Sequence, residues 1–343
     1  MNGYERISTT LKGGMADKVP LMLHSFMPAA AEAGFTLTEY RNSARNMADS
    51  HLKFARKYGL DGILLDVDTC MEAGAVGVPV DFPPDGPARV SGPAADNIDE
   101  LLEIMESEKL HKYDRIKIQL EAVGIMKKEA GGEIFIRGNC DQMAFSLAML
   151  SYGMENFLAD LLDEELEEKI ILLIDRAFDV HLEYHRMMLE AGADITSFGD
   201  SSCGPDVISP ELFVKYSLPF HKKLQRELAK MNTGTVCHIC GNLDRIIDDV
   251  AEVGYAGVEI DYKTNIKNAA RVMRDRSVVF GPIDPSGVFY FGTPELMRAK
   301  TGEVLDCFRG RSIVLGAGCA IPKGAGEELI RTFVETARAY RLH

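Results

Sequence analysis

A (β/α)₈ TIM barrel with an N-terminal helical extension is the fold class this sequence predicts, and three observations predict it. Eight short β-branched or apolar runs are spread along 343 residues. Longer amphipathic segments separate them, as parallel strands require, since each needs a crossover connection. Eight such units favour closing the sheet over leaving it open. The runs are VPLML (19–23), GILLD (62–66), EIFIR (133–137), DITSF (194–198), TVCHI (235–239), GVEID (257–261), SVVFG (277–281) and SIVLG (312–316).

Taken in order, the residues before the first run form the extension, and the Gly- and Pro-rich stretch 72–93 after the second run is an irregular excursion. Leu158, Leu161, Leu162, Leu166, Ile170, Leu173, Ile174, Ala177 and Phe178 recur at three- and four-residue steps, which predicts one helix with Asp163 capping its start. Ser209-Pro210-Glu211 opens the next helix, with Ser as N-cap and Pro at the first helical position. No linker or internal repeat interrupts the pattern, so residues 1–343 are expected to form one domain.

A hydrophobic share of 46% and a charged share of 26% belong to an ordinary globular protein with a sizeable core. The formal charge of −14, with bases scattered among acids, argues against nucleic acid as a partner. No apolar stretch is long enough to span a bilayer, and the N-terminus lacks the apolar core of a signal peptide, so a cytoplasmic location is expected. Seven cysteines at irregular spacing do not resemble a disulfide framework; reduced thiols leave some free for metal.

Barrel active sites lie at the C-terminal ends of the strands. The candidates there are His24; Asp66 and Asp68; Arg137, Asn139 and Asp141; Asp200; His238 and Cys240; Glu259 and Asp261; Asp284; and Cys319. Residues two apart on a strand face the same side, so His238 and Cys240 can address one ion while Cys237 and Ile239 point away. Alone, the pair is equally readable as a buried cysteine beside a capping histidine. Cys319, flanked by glycine at the end of the eighth run, converges on the same mouth and favours zinc, which imidazole and thiolates select. Glu259 is either a fourth, displaceable ligand or an unligated acid at the mouth.

These residues carry a resemblance. The opening ERISTTLKGGMADKVPL, the segment 208–224 (ISPELF through PFHKKL), VCHICGN, and GCAIP before the last helix are similar to the uroporphyrinogen decarboxylase superfamily, spanning nearly the whole chain. Within it they resemble the zinc-dependent corrinoid methyltransferases, including methylcobamide:coenzyme M methyltransferases and methyl-ether O-demethylases. The resemblance implies zinc on His238, Cys240 and Cys319, and a methyl group passing between a small substrate and cobalt. The substrate is an aryl methyl ether as donor or a thiol such as coenzyme M as acceptor, with a lean toward the ether because the strand ends are poor in cations. It implies a corrinoid carried on a partner protein, since no DxHxxG-type cobalamin motif is present, and it makes a homodimer plausible. The decarboxylases have an arginine-rich segment after the first strand, whereas this chain reads HSFMPAAAEAG there. Decarboxylation of a porphyrinogen is therefore the alternative, alongside a non-catalytic corrinoid or tetrapyrrole binder with a structural zinc.

Lesser motifs have plainer readings. His181 and His185, four apart, fall on a helix outside the barrel and suit surface or packing roles. Asp66 and Asp68 resemble a divalent-metal pair but serve equally to cap amides or orient substrate. Asp141 is a substrate-orienting residue or the N-cap of a helix starting near Gln142. The glycines of LGAGCAIPKGAG either cradle phosphate, with Lys323 binding an anionic tail, or let the chain turn sharply beside the ion.

Overall fold

The computed structural model of the chain describes residues 1–66 and 68–341. Its central sheet has eight parallel strands: β1 (Met22–Leu23), β2 (Gly62–Leu65), β3 (Phe135–Gln142), β4 (Ile195–Gly199), β5 (Thr235–Ile239), β6 (Gly257–Ile260), β7 (Val278–Ile283) and β8 (Ile313–Ala317). Each pairs with the next, and β8 returns toward β1 through a single bridge, Leu21 to Leu315, nearly closing the barrel. Close backbone approach permits that last step. A Cβ at Gly316 would lie 2.1 Å from the Met22 carbonyl oxygen, so only glycine fits there.

Strand alternation divides the interior into a floor and a mouth. Leu64, Phe135, Ile195 and Val236 face inward among the floor residues, together with Met22, Val278, Phe280 and Val314. Two residues further along four strands, the inward positions become Asp66, Arg137, Ser197 and His238. The opposite faces, among them Ile63, Ile136, Cys237, Ile239, Val258 and Leu315, lie in the larger core between sheet and helices.

The expected N-terminal extension closes the floor. Helix α1 (Gly3–Leu11) starts with a reciprocal cap in which Asn2 takes the Glu5 N–H and Glu5 takes the Asn2 N–H. It lays Tyr4, Ile7 and Leu11 under the strand starts. Arg6 fixes its position, bonding Asp17 at 2.7 Å and Asp61 at 2.9 Å. Ile7 is fully buried, which contributes about 1.5–3 kcal/mol, and a charge at that position would break the seal.

Three local expectations are corrected. The predicted 158–178 helix is split into Met154–Asp160 and Glu167–Glu190, and Asp163 caps only the turn between them by accepting the Glu165 N–H at 2.9 Å. Leu162, assigned to the apolar stripe, is exposed. The excursion after β2 carries a short helix, α2 (Met71–Val76), and an antiparallel hairpin of Val80–Asp81 with Arg89–Val90. Ser209 does cap its helix, with Pro210 at the start.

Candidate metal centre

His238, Cys240 and Cys319 form one group at the mouth, with ligand atoms all within 4.8 Å of one another. The strands explain the convergence. β5 places His238 on its inner face with Cys240 just past its end, and β8 is followed by Gly318, where a Cβ would meet the Ile260 carbonyl oxygen at 2.7 Å. The missing side chain lets Cys319 run hard against the end of β6.

The donor set fits zinc. His238 Nδ1 lies 3.0 Å from the Glu259 carbonyl oxygen, so Nδ1–H donates there and leaves Nε2 as the ligand. Nε2 stands 3.0 Å from Cys240 Sγ. Tetrahedral zinc needs these atoms about 3.5 Å apart, an opening of roughly half an ångström. Burial opposes charge on His238, but the Cys240 thiolate and Glu259 outweigh it and raise the imidazole to about 10. The Cys319 thiol donates toward Cys240, which, with His238 alongside, overcomes burial and holds Cys240 well below the usual thiol range. The protons held by His238 and Cys319 on either side of the Cys240 thiolate are what a dication would replace.

Beside the group lies a cavity of about 200 Å³. Phe26, Met27, Leu64, Pro87 and Phe198 supply its apolar wall, while His24, Asp66, Arg137, Asn139, Asp141 and Glu259 supply polar atoms. A larger cleft of about 650 Å³, lined by Leu11, Tyr255 and Arg276, sits at the opposite end of the barrel, beside α1. The ligand group lines the smaller one.

The polar wall is a connected network. Arg137 Nη1 is ion-paired with Glu259 Oε2. Glu259 Oε1 lies 3.6 Å from His24 Nδ1 and 3.9 Å from His238 Nδ1. His24 Nε2 meets Asp66 at 2.5 Å, and Asn139 donates to the other Asp66 oxygen at 2.8 Å. Burial opposes charge on His24, yet Asp66 and Glu259 raise it to about 9. Burial likewise opposes charge on Glu259, and Arg137 with both histidines holds it below the usual carboxylate range.

Comparison with known proteins places this geometry. The uroporphyrinogen decarboxylase (URO-D) family model matches residues 2–340. The chain belongs to the uroporphyrinogen decarboxylase family. It is 30% identical over 240 residues to the methylcobamide:CoM methyltransferase MtbA of Methanosarcina acetivorans, covering 69% of this chain and 68% of that protein. It is 25% identical to the methylcobamide:CoM methyltransferase MtaA of Methanosarcina barkeri, covering 98% and 97%. A solved methyltransferase from Methanosarcina mazei superposes with a TM-score of 0.86 at 23% identity, over 98% of each chain.

Several predicted site residues of this family member have other duties. Glu259 is not brought into the ligand group; its Oε2 is held by Arg137. Asp68, although it lines the cavity, is clamped by Arg41 at 2.6 and 2.9 Å and accepts the Ala88 N–H, so the two aspartates do not form a divalent-metal pair. Asp200 is fully buried and lies outside the cavity wall. Asp261 accepts the Gly241 N–H at 3.0 Å, shaping the turn behind Cys240. Asp284 accepts the Ser286 and Gly287 N–H groups and lines a different pocket with Tyr262. Asp141 is no N-cap, because the next helix starts at Ala144. His181 and His185 are wholly buried, which fits the packing role expected of them, and Lys323 is paired with Asp85. Sequence reasoning missed Ser201, whose hydroxyl donates to Cys240 Sγ at 3.4 Å, and Arg41. Ser201 follows β4 closely, which is the signal that would have found it.

Proposed function

We propose that this chain is a zinc-dependent methyltransferase, with His238, Cys240 and Cys319 holding the metal, that moves a methyl group between a small substrate and the cobalt of a corrinoid carried on a partner protein. The observation that carries the reading is the three-donor group opening onto a partly open, mainly apolar cavity. Three protein donors leave a fourth position for substrate, as in catalytic rather than structural zinc sites. Bound there, zinc supplies Lewis acidity toward the substrate heteroatom, a thiol sulfur or an ether oxygen.

The chain's own residues do the rest. Glu259 accepts His238 through its backbone carbonyl and holds Arg137 with its side chain, fixing the ring that faces the metal. Phe26, Met27 and Phe198 exclude water from the reacting atoms. Among the described lining residues, the charge of Arg137 is balanced by Glu259 and that of His24 by Asp66, leaving no unbalanced cation for a sulfonate. That supports an uncharged aryl methyl ether as donor. The relatives named methylcobamide:CoM methyltransferases support a thiol such as coenzyme M as acceptor. The same lack of unbalanced cations disfavours a porphyrinogen, which carries many carboxylates, although relatives named uroporphyrinogen decarboxylase are also similar, at 24% identity over 93% of this chain for that of Pseudoalteromonas translucida.

The deciding assay supplies corrinoid protein as Co(I) with methyl ethers and as methyl-Co(III) with thiols, following the cobalt absorbance. Methyl exchange with either class, lost on chelation and restored by zinc, is the expected result. No exchange with any substrate would refute it in favour of a binding protein, and turnover of uroporphyrinogen without zinc in favour of the decarboxylase.

A further inference from the structure

Resting on the methyl-ether form of that reading, the geometry points to Asp141 as the acid that hydrogen-bonds and then protonates the oxygen leaving group of an ether bound in the cavity. β3 does not run straight into the mouth. Its register against β4 shifts between Asn139 and Gln142, and Asp141 adopts φ 59°. A left-handed aspartate costs of order 1 kcal/mol, and bulges of this kind re-aim side chains beside active sites. Cys140 belongs to the helix-facing core, while Asp141 joins the cavity wall that also includes Cys240 and Cys319.

The two carboxyl oxygens are treated differently. Oδ2 accepts the Glu72 N–H at 2.9 Å. Glu72 is itself fixed, accepting the Gln142 N–H at 3.1 Å and lying 3.0 Å from His181 Nδ1. Beyond it, His181 pairs with His185 at 3.0 Å and His185 with Thr196 at 2.7 Å. Among the described residues Oδ1 has no partner at good hydrogen-bond geometry, although the Met71 N–H also faces the carboxyl and Asp141 is only 2% exposed. An orphaned buried oxygen is unusual and costly, and here it belongs to a residue of the cavity wall. Arg137 Nε and His24 Nδ1, on the same wall, are also buried without a hydrogen-bond partner among the described residues.

Charge decides whether Oδ1 gives or takes a proton. Burial, with the carboxylates of Glu72 and Asp66 nearby, pushes the Asp141 carboxyl well above its usual range. A neutral carboxylic acid in an apolar site is a strong hydrogen-bond donor to developing negative charge. In the proposed step the Co(I) electron pair forms the cobalt–methyl bond. The methyl–oxygen bond breaks with its electrons on oxygen, and the Asp141 proton passes to that oxygen. Cobalt ends as Co(III), the substrate as a phenol and Asp141 as a carboxylate that solvent reprotonates.

The test separates the hydrogen bond from the proton. In Asp141→Asn the amide oxygen takes the Glu72 N–H and the NH₂ group faces the cavity, whereas Asp141→Leu removes both functions. Calorimetry on zinc-loaded protein without corrinoid compares 2-methoxyphenol with 2-ethylphenol, which lacks the ether oxygen. We expect wild type and D141N to prefer the ether about tenfold and D141L to lose the preference. With Co(I) corrinoid protein, D141N should lose about a hundredfold in kcat with KM changed less than threefold. Preference retained by D141L, or a wild-type kcat in D141N, overturns the role of Asp141 while methyl transfer stands. No demethylation of any ether by wild type overturns the ether reading and the acid role together. Zinc content and circular dichroism of each variant exclude misfolding as the cause.

Discussion

Among the described residues, two groups of three ligand-type side chains each bring their donor atoms within 4.8 Å: His238, Cys240 and Cys319, and Asp200, Cys203 and His221. On residue types alone both would pass for metal sites. Their surroundings separate them. In the second group, Asp200 accepts Ser146 through both N–H and hydroxyl, Ser217 at 2.9 Å and His221 Nε2 at 2.7 Å. His221 Nδ1 pairs with Tyr255, and Cys203 donates to the Asp200 carbonyl at 3.1 Å. All three residues are fully buried, and none lines the cavity. Burial opposes the Asp200 charge, but His221 and Ser146 hold it below the usual carboxylate range. One group is saturated and sealed; the other sets a thiolate between an imidazole and a thiol and opens to a cavity. Ligand chemistry becomes a site only where hydrogen bonding leaves donors to spare.

The strongest way to break this contrast is metal analysis. Cys240→Ala should fall from one zinc per chain to below about a tenth and lose at least about a thousandfold in methyl transfer. Cys203→Ser should keep its zinc; two zincs in wild type, or loss in C203S, would overturn the distinction. Next in size, Asp200→Asn removes one partner of a buried pair, and urea unfolding should show a loss of about 3 kcal/mol at unchanged zinc content.

Acid unfolding gives a third handle, through histidines outside the metal group. Burial lowers His51 to about 4 and His181 to about 3. Below pH 6.5 the unfolded chain takes these protons and the folded chain refuses them. Stability is thus lost as pH falls from 6.5 toward 4, by about 3 kcal/mol for His51 alone. The depressed Asp200 adds its own loss only below about pH 4. His51→Gln should flatten the urea-midpoint slope between pH 6.5 and 4; an unchanged slope would count against a neutral His51. Smaller still, Glu259→Gln keeps the carbonyl contact to His238 but weakens the hold on Arg137. Competition with a chromophoric chelator should show zinc affinity down about tenfold. Lys323→Ala, which removes an exposed pair with Asp85, should change kcat/KM less than threefold.

What the sequence made legible follows from how local each determinant is. The strands were readable because buried parallel strands are apolar runs, and TVCHI was placed residue for residue at Thr235–Ile239. His238 and Cys240 were readable because period-two alternation is a local rule. The partners were not. Arg137 meets Glu259 across 122 positions, and Arg41 meets Asp68 across 27, with nothing in either stretch to announce the pairing. The bulge at Asp141 escaped for a related reason, since its left-handed turn is held by Glu72 on another segment. A helix cap was the natural local expectation, and a tertiary contact overrode it.

The floor formed by α1 ties the start of the chain to its end. Tyr4 bonds the Glu133 carbonyl, and Ile7 packs in one cluster with Val314. During synthesis this helix can pack early against Met22, Leu64 and Phe135, but its contact with β8 forms only some three hundred residues later. The barrel floor is complete only once β8 has been made, which leaves the part of α1 that meets Val314 open to chaperones until then.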